Sequence, residues 1–527
     1  MAAMGTDSVE QVPVPRYVTL LRRHATMVVL TVVVAWLALR VQRNGISWGD
    51  DFALYTRQAQ SLIDGNIAQV VSDNRFNVLN AAKPGFSPVA YPWGFPLLLA
   101  PFVRVFGMDW AALKLAGVLS LLGFLWAFHA VLRRRMTPAL AFATVAAVGT
   151  TVAYVRHTDS VLSELPYLWA VTVALWWLDR IRRDGTRLHT APRNELVVLG
   201  ALMVLVFNVR REGLALVPAV LVAQLADLRG FGVIRNRRTL PWRRIVTPLV
   251  TFVVGGVLFQ LLLPSALAPE YAEAGLHQTW EKLQGPYRLA FADQWGFPDL
   301  HGTWLGLLAL LCAVGVIIRM TRAAAVDAPL FVFAAVSVSM AGMIPAISDR
   351  YLMGGIPFAV YFAAQAIASL PLGPALRARH AAPWLAVAAM SFVSVHHLTE
   401  YPTLIDASDA ADRRGVANGP ERADVQEAFD AVRIHTHQDD VIAFFKVRAL
   451  TLYTDRRGVQ SSPLAPVQER ADYFLMEQGP AANGRLQATG ALWVSDTEAA
   501  DMGWAAVWRS DQWVLWSIPR PVGEPSG

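Results

Sequence analysis

Cysteine is all but missing. Cys312 is the single one in 527 residues, which excludes an intrachain disulfide, so any part outside a membrane must stand on its own core. Charge is thin as well: Asp, Glu, Lys and Arg make up 16% of the chain, against about 25% in a soluble globular protein. Apolar residues take their place. The hydrophobic share is 54% and the mean hydropathy +0.37, and long apolar stretches recur from Thr26 to Val395. A helix needs about 20 such residues to cross a hydrocarbon core roughly 30 Å thick. The sequence therefore predicts a polytopic α-helical membrane protein with many spans, not a soluble domain on one anchor.

Eleven spans are expected, near 25–41, 110–132, 139–155, 161–178, 195–209, 213–227, 245–263, 303–319, 328–346, 351–370 and 383–397. The apolar piece around Phe95–Phe106 reads as a juxtamembrane or re-entrant segment. Arg16, Arg22 and Arg23 precede the first span and no small-x-small cleavage site follows it, which reads as a retained signal anchor.

The net charge of +6 and the isoelectric point near 9.5 come from short loops between spans. The N-terminal tail and the loops near 133–138, 180–194, 228–244, 320–327 and 371–382, with Arg319, hold 21 Lys and Arg. The opposite short connections hold only Arg156, Arg210, Arg211, Lys282, Arg288 and Arg350. Cytoplasmic loops carry the excess of Lys and Arg. The expected protein is thus multi-pass in the plasma (inner) membrane, with the N-terminus cytoplasmic and, for an odd number of spans, the C-terminus outside. Orientation accounts for the basic charge, so no nucleic-acid partner is expected.

The expected division is a cytoplasmic tail (1–24), a transmembrane domain (25–400) with outer loops near 42–109 and 264–302, a linker (401–420) and an extracytoplasmic α/β domain (421–527). In the last, 421–437 reads as an amphipathic helix, Val441–Lys446 as a buried strand and Pro466–Gln478 as a helix. Ala491–Ser495 and Val507–Ile518 read as strands, the second bent at Ser510–Asp511.

Charges are costly in hydrocarbon, and here the unusual polar residues gather where spans meet the outside. Asp50 and Asp51 follow Trp48-Gly49 and open an apolar-spaced helix ending its first turn at Tyr55. They read either as a helix cap with a carboxylate at the dipole or as a pair with distinct roles, since adjacent helical residues point about 100° apart. Tyr91-Pro92-Trp93-Gly94-Phe95-Pro96 makes a rigid aromatic turn, whose simpler reading is an interfacial anchor. Ser163-Glu164-Leu165-Pro166 opens a span after Arg156, His157 and Asp159, and helix capping would also explain it. Arg210-Arg211-Glu212-Gly213 and Asp349-Arg350-Tyr351-Leu352 put arginines on the outer side, for an anionic headgroup or for snorkelling to lipid phosphates. All five clusters fall on one face of the derived topology.

In this order, the motifs resemble the GT-C superfamily of membrane glycosyltransferases, in the branch of protein O-mannosyltransferases and lipid A aminoarabinose transferases. The likeness spans roughly residues 20–400 and rests on Asp50-Asp51, Tyr91–Pro96, Ser163–Pro166, Arg210–Gly213 and Arg350–Leu352 with Pro357. Two features depart. Ala53 stands where the aminoarabinose transferases carry an arginine, and Tyr91-Pro92-Trp93 where they carry Lys-Pro-Pro, which counts against that donor. The 264–302 loop is too short for the β-trefoil of the eukaryotic mannosyltransferases.

The resemblance implies a GT-C fold and transfer of a sugar from a polyprenyl-phosphate donor to a hydroxyl of a lipid, glycan or protein acceptor, with inversion. It implies Asp50 as general base, with Asp51 and Glu164 beside it in the catalytic group. Arg350, Arg211, Arg210 and Lys83 are expected at the donor phosphate, and Tyr55, Tyr91, Trp93, His157, Asp159 and Tyr351 around the substrate cavity. No cofactor is implied; a divalent metal, used by some relatives, is compatible but not required for a monophosphate leaving group. Membrane lipids are the remaining expected partner. The competing reading is a multi-spanning transporter or lipid flippase, which would place helix breaks or charges near the midplane and often duplicate its halves; neither is evident here.

Overall fold

The computed structural model describes residues 16–80, 87–183, 186–229, 241–266, 303–344, 348–371, 376–413 and 418–461, then 464–478 and 492–519, with a few positions of 280–292 and residues 415–416. The chain is mainly helical. In order come α1 (Arg16–Arg40), α2 (Asp51–Asp64), α3 (Ile67–Leu79), α4 (Gly94–Phe106), α5 (Trp110–Leu132), α6 (Pro138–Gly149) and α7 (Val152–His157). There follow α8 (Glu164–Ile181), α9 (Arg193–Val209), α10 (Leu216–Arg229), α11 (Trp242–Leu262), α12 (Thr303–Met343), α13 (Ile356–Ala368) and α14 (Leu376–Arg413).

Local chemistry sets the boundaries. The Asp109 side chain accepts from Ala112 N to start α5, and Thr137 accepts from Leu140 N before Pro138 to start α6. Gly94 opens α4 hard against the end of α9, where a Cβ would stand 2.6 Å from the Asn208 backbone. The helices share one apolar core that runs from Met27 through Phe124 and Phe128 to Phe358 and Tyr361.

Among the described residues, four helices are long and apolar enough to cross a membrane: Trp110–Leu132, Trp242–Leu262, Leu305–Met343 and Ala381–Arg413. Four shorter apolar helices, including Pro138–Gly149 and Ile356–Ala368, accompany them. On α11, Val253, Val254, Val257, Leu258 and Leu261 are more than half exposed, as lipid-facing side chains would be. The spans expected at 303–319 and 328–346 are the two halves of α12, which breaks at Ala323 (φ −149°). Buried ion pairs tie helix ends away from the motif clusters: Arg135 joins Asp179 and Asp327 (2.8 Å to the latter), and Arg182 joins Asp227 at 2.7 Å.

The stretch 401–420, read as a linker, is helical for much of its length. α14 runs on to Arg413 despite Pro402, and Arg40 bonds Asp409 at 2.8 Å. The chain then folds back: Gly419 sits at φ +120° with its Cβ position 1.7 Å from Ile46 O, so only glycine fits this contact.

The C-terminal unit is an α/β domain. It comprises α15 (Ala423–His435), β1 (Val441–Phe444), α16 (Val447–Thr454), β2 (Arg457–Gln460), α17 (Leu464–Arg470), β3 (Tyr473–Glu477), α18 (Asp496–Asp501), β4 (Ala505–Arg509) and β5 (Trp513–Ser517). The sheet order is β2-β1-β3-β5-β4, with β1 parallel to β2 and β3 and the β3–β5 and β4–β5 pairs antiparallel.

Two readings need correction. Pro466–Gln478 is not one helix: its second half is β3, buried along nearly all its length between Val425 and Phe429 on one face and Trp504 on the other. A strand covered on both faces shows no polar–apolar alternation. Residues 492–495 are not a strand but lead into α18, where Ser495 and Glu498 form a capping box; residue 491 lies outside the described residues. The bend expected at Ser510–Asp511 is the turn of the β4–β5 hairpin.

Candidate active site

The site is built where α2 begins. α1 carries the chain to Arg40, and Lys114 on α5, only 2% exposed, pins the next segment by donating to Arg43 O, Gly45 O and Asp159 Oδ1, each at 2.7 Å. That places Asp50 and Asp51 at the mouth of α2. They part there. Asp51 is half-buried and fully engaged: Oδ1 accepts from the Tyr91 hydroxyl at 2.6 Å and Oδ2 from Arg350 Nη2 at 2.7 Å. Burial works to raise its carboxyl, but the Arg350 charge and the Tyr91 and Arg350 hydrogen bonds carry it below its ordinary value.

Asp50 is the opposite case. It occupies the cap position of α2 without a capping bond, its Oδ1 is buried with no hydrogen-bond partner, and Oδ2 stands 3.9 Å from Lys446 Nζ. Burial pushes its carboxyl up from the ordinary value, with Asp51 adding to the rise and Lys446 and Arg448 opposing it. Both aspartates line a cavity of about 460 Å³, together with Trp48, Ser87, Ser160, Arg350, Lys446 and Arg448.

A second layer lies behind Arg350. Glu164, at the first turn of α8, pairs through Oε1 with Arg210 Nη1 at 2.8 Å and Arg350 Nε at 3.5 Å, and through Oε2 with His157 Nε2 at 3.4 Å. Arg210 also bonds Ser163 Oγ at 3.1 Å and Glu212 at 2.8 Å. The Tyr351 ring lies 5.3 Å from the Arg350 guanidinium and 5.8 Å from that of Arg210. Tyr55 stacks on Tyr91 (centroids 4.6 Å) and bonds Ser163 at 2.9 Å. Burial, then Asp51, raises the Tyr91 hydroxyl well above the usual phenol range, so it serves as a donor.

Asp50, Asp51, Tyr55, Tyr91, His157, Glu164, Arg210, Arg350 and Tyr351 are thus brought into one connected group. Three other expected residues are not in it. Arg211 leaves an extended Arg210 in the opposite direction and holds Ala266 O (2.9 Å) and Ser265 Oγ (2.6 Å), so it is a brace for the outer loop and not a free phosphate ligand. Trp93 is fully buried, donating to Pro264 O at 2.9 Å, and Asp159 is taken up by Lys114 and Arg43. Lys83 lies outside the described residues. Among the described residues no group of three or more His, Cys, Asp and Glu is arranged to hold a metal ion.

Lys446 and Arg448 were not anticipated. They belong to the C-terminal domain, Lys446 in the turn from β1 into α16 and Arg448 in the first turn of α16. Arg448 is 3% exposed and bonds Tyr91 Oη (3.2 Å), Asn74 Oδ1 (3.0 Å) and Pro88 O (2.9 Å). The signal available in sequence was their place just past a buried parallel strand, where doubly wound sheets put ligand sites.

No protein-family model matches the chain, and no curated protein matches it by sequence. Solved structures do. ArnT from Cupriavidus metallidurans bound to undecaprenyl phosphate superposes with TM-score 0.56 at 14% identity, covering 96% of this chain and 99% of that one. Its apo state gives 0.57 at 13%, covering 94% and 98%. The archaeal oligosaccharyltransferase AglB from Archaeoglobus fulgidus, in complex with an inhibitory peptide and a dolichol-phosphate, gives 0.51 at 11%, covering 87% and 70%. The chain has the GT-C fold of these membrane proteins, as its motifs implied, and the match to ArnT runs through the C-terminal domain.

Proposed function

We propose that the protein is a membrane glycosyltransferase that moves a sugar from a polyprenyl-phosphate donor to an acceptor hydroxyl, inverting the anomeric centre, with Asp50 as general base. One observation carries the reading: a carboxylate with a raised pKa and an unpartnered oxygen shares a cavity with the guanidinium of Arg350. A base is most effective with its pKa near working pH, and an ordinary aspartate lies well below that. Asp50 takes the acceptor's proton, the acceptor oxygen bonds to the anomeric carbon, and the bond from that carbon to the phosphate oxygen breaks. Its electron pair leaves with the lipid phosphate, whose growing charge Arg350 stabilises. Glu164 and Asp51 hold Arg350 in place and are positioning residues.

The fold shared with ArnT, captured with undecaprenyl phosphate, and with AglB, captured with dolichol-phosphate, supports a polyprenyl phosphate as carrier. The acceptor is a lipid, glycan or protein hydroxyl. The test is incubation of the purified protein in lipid with a panel of labelled polyprenyl-phosphate sugars and a membrane extract as acceptor. One donor should be consumed with release of polyprenyl phosphate; consumption of none would overturn the reading. The charge bias puts the site on the extracytoplasmic side, which a C-terminal reporter active only in the cytoplasm would contradict.

A further inference from the structure

The two halves of the molecule meet at the candidate base. The C-terminal domain is docked by side chains on both sides: Asn77 on α3 bonds Gly458 N at 3.0 Å and Thr451 Oγ1 at 3.2 Å, Arg57 on α2 bonds Asp455 at 3.0 Å, and Trp110 Nε1 reaches Tyr453 Oη at 3.0 Å. Trp48 packs edge-on against Phe445, with ring centroids 4.9 Å apart. This docking sets the 446–448 turn against Asp50.

The main favourable influences on an ionised Asp50 then come from that turn and the start of α16: the Lys446 ammonium, the Arg448 guanidinium and the Arg448 backbone amide. The two cations differ in freedom. Arg448 is committed to Tyr91, Asn74 and Pro88, whereas Lys446 faces the cavity with its side chain 26% exposed and stands 3.9 Å from Asp50 Oδ2. The other charged or titratable groups facing Asp50 are Asp51 beside it on α2, Arg350 from the segment before α13, and Tyr91 from the turn before α4. Arg350 and Tyr91 direct their hydrogen bonds to Asp51 and not to Asp50.

We infer that the C-terminal domain is part of the active site and acts through Lys446, a positioning residue whose ammonium group holds the Asp50 carboxylate in its proton-accepting form. The inference rests on the proposed function and deepens it. The domain is then no passenger on the membrane unit: without it Asp50 loses the Lys446 and Arg448 charges and keeps burial and Asp51, both of which raise its carboxyl.

The experiment compares wild type, Lys446→Met and Lys446→Arg, all full-length and in lipid, by the pH profile of kcat/KM with the donor the panel identifies. Unit charges 3.9 Å apart are worth roughly one to three pH units between water-like and protein-like screening. In Lys446→Met the acid limb should move up by about that much, with the lost activity recovered as pH rises past the shifted limb. Lys446→Arg should keep the limb near wild type. A loss of activity at every pH with the limb unmoved would overturn the inference, as would a wild-type profile for Lys446→Met. A readout without turnover separates this from failure of the functional reading. The infrared carboxyl band that disappears in Asp50→Asn should titrate at higher pH in Lys446→Met than in wild type, whatever donor is used. A band that titrates identically in both proteins would again sink the inference.

Discussion

Replacing Arg350 with alanine tests the donor side of the site and separates two roles in one variant. Its guanidinium joins Asp51 at 2.7 Å and Glu164 at 3.5 Å, with about a quarter of the side chain exposed. Removing it leaves Glu164 with Arg210 and His157, so little is lost there, but Asp51 keeps only the Tyr91 hydrogen bond and the Arg448 charge. One charge-assisted hydrogen bond is worth about 1.5–3 kcal/mol. The unfolding midpoint should therefore fall by a few degrees. The sign with pH follows from Asp51. Its carboxyl is depressed when folded, so the stabilisation is full above the ordinary value of 3.8 and fades as pH falls through the folded value. The deficit of Arg350→Ala against wild type should be largest at neutral pH and close on acidification. Separately, affinity for a polyprenyl phosphate carrying no sugar, measured by titration calorimetry in lipid nanodiscs, should weaken roughly tenfold to a hundredfold. Wild-type affinity in a folded Arg350→Ala protein would refute the phosphate role and leave Arg350 as a partner of Asp51 alone.

Glu164→Gln keeps the shape but removes the charge shared by Arg210 and Arg350, and should lower the rate at least tenfold; full activity with only a lower melting temperature would restore the helix-capping reading. Lys114→Met strips a buried ammonium from two carbonyls and Asp159, and should cost about 3–5 kcal/mol of stability. Thermal unfolding checks it, and an unchanged midpoint would show that this pin does not hold the 43–45 segment.

The apolar helices and the side-chain types of the site were legible because each leaves a local mark: long hydrophobic runs for α5, α11 and α12, and charges at helix starts for Asp51, Glu164 and Arg350. Direction within a motif was not. Arg210 is extended (φ −149°, ψ 143°), so it and Arg211 diverge, one to Glu164 and the other to Ser265. The resemblance implies Asp159 and Trp93 as cavity residues, but Lys114 and Pro264, remote in the chain, claim them. Lys446 and Arg448 were hidden for the same reason: only the docking of a separate domain brings them to Asp50. Arg135 and Arg182, two of the basic residues behind the expected orientation, are buried partners of Asp327 and Asp227.

The central claim is that Asp50 is the base, and Asp50→Asn measures it most directly. The amide has the same size, and Arg350 is held by Asp51 and Glu164, so donor binding should persist. Transfer of labelled sugar should fall by about 10²–10⁴-fold, the contribution of a positioned base. In the same assay Asp51→Asn should lose less rate and more stability. Normal transfer by Asp50→Asn with bound donor, or loss of transfer in Asp51→Asn alone, would contradict the account.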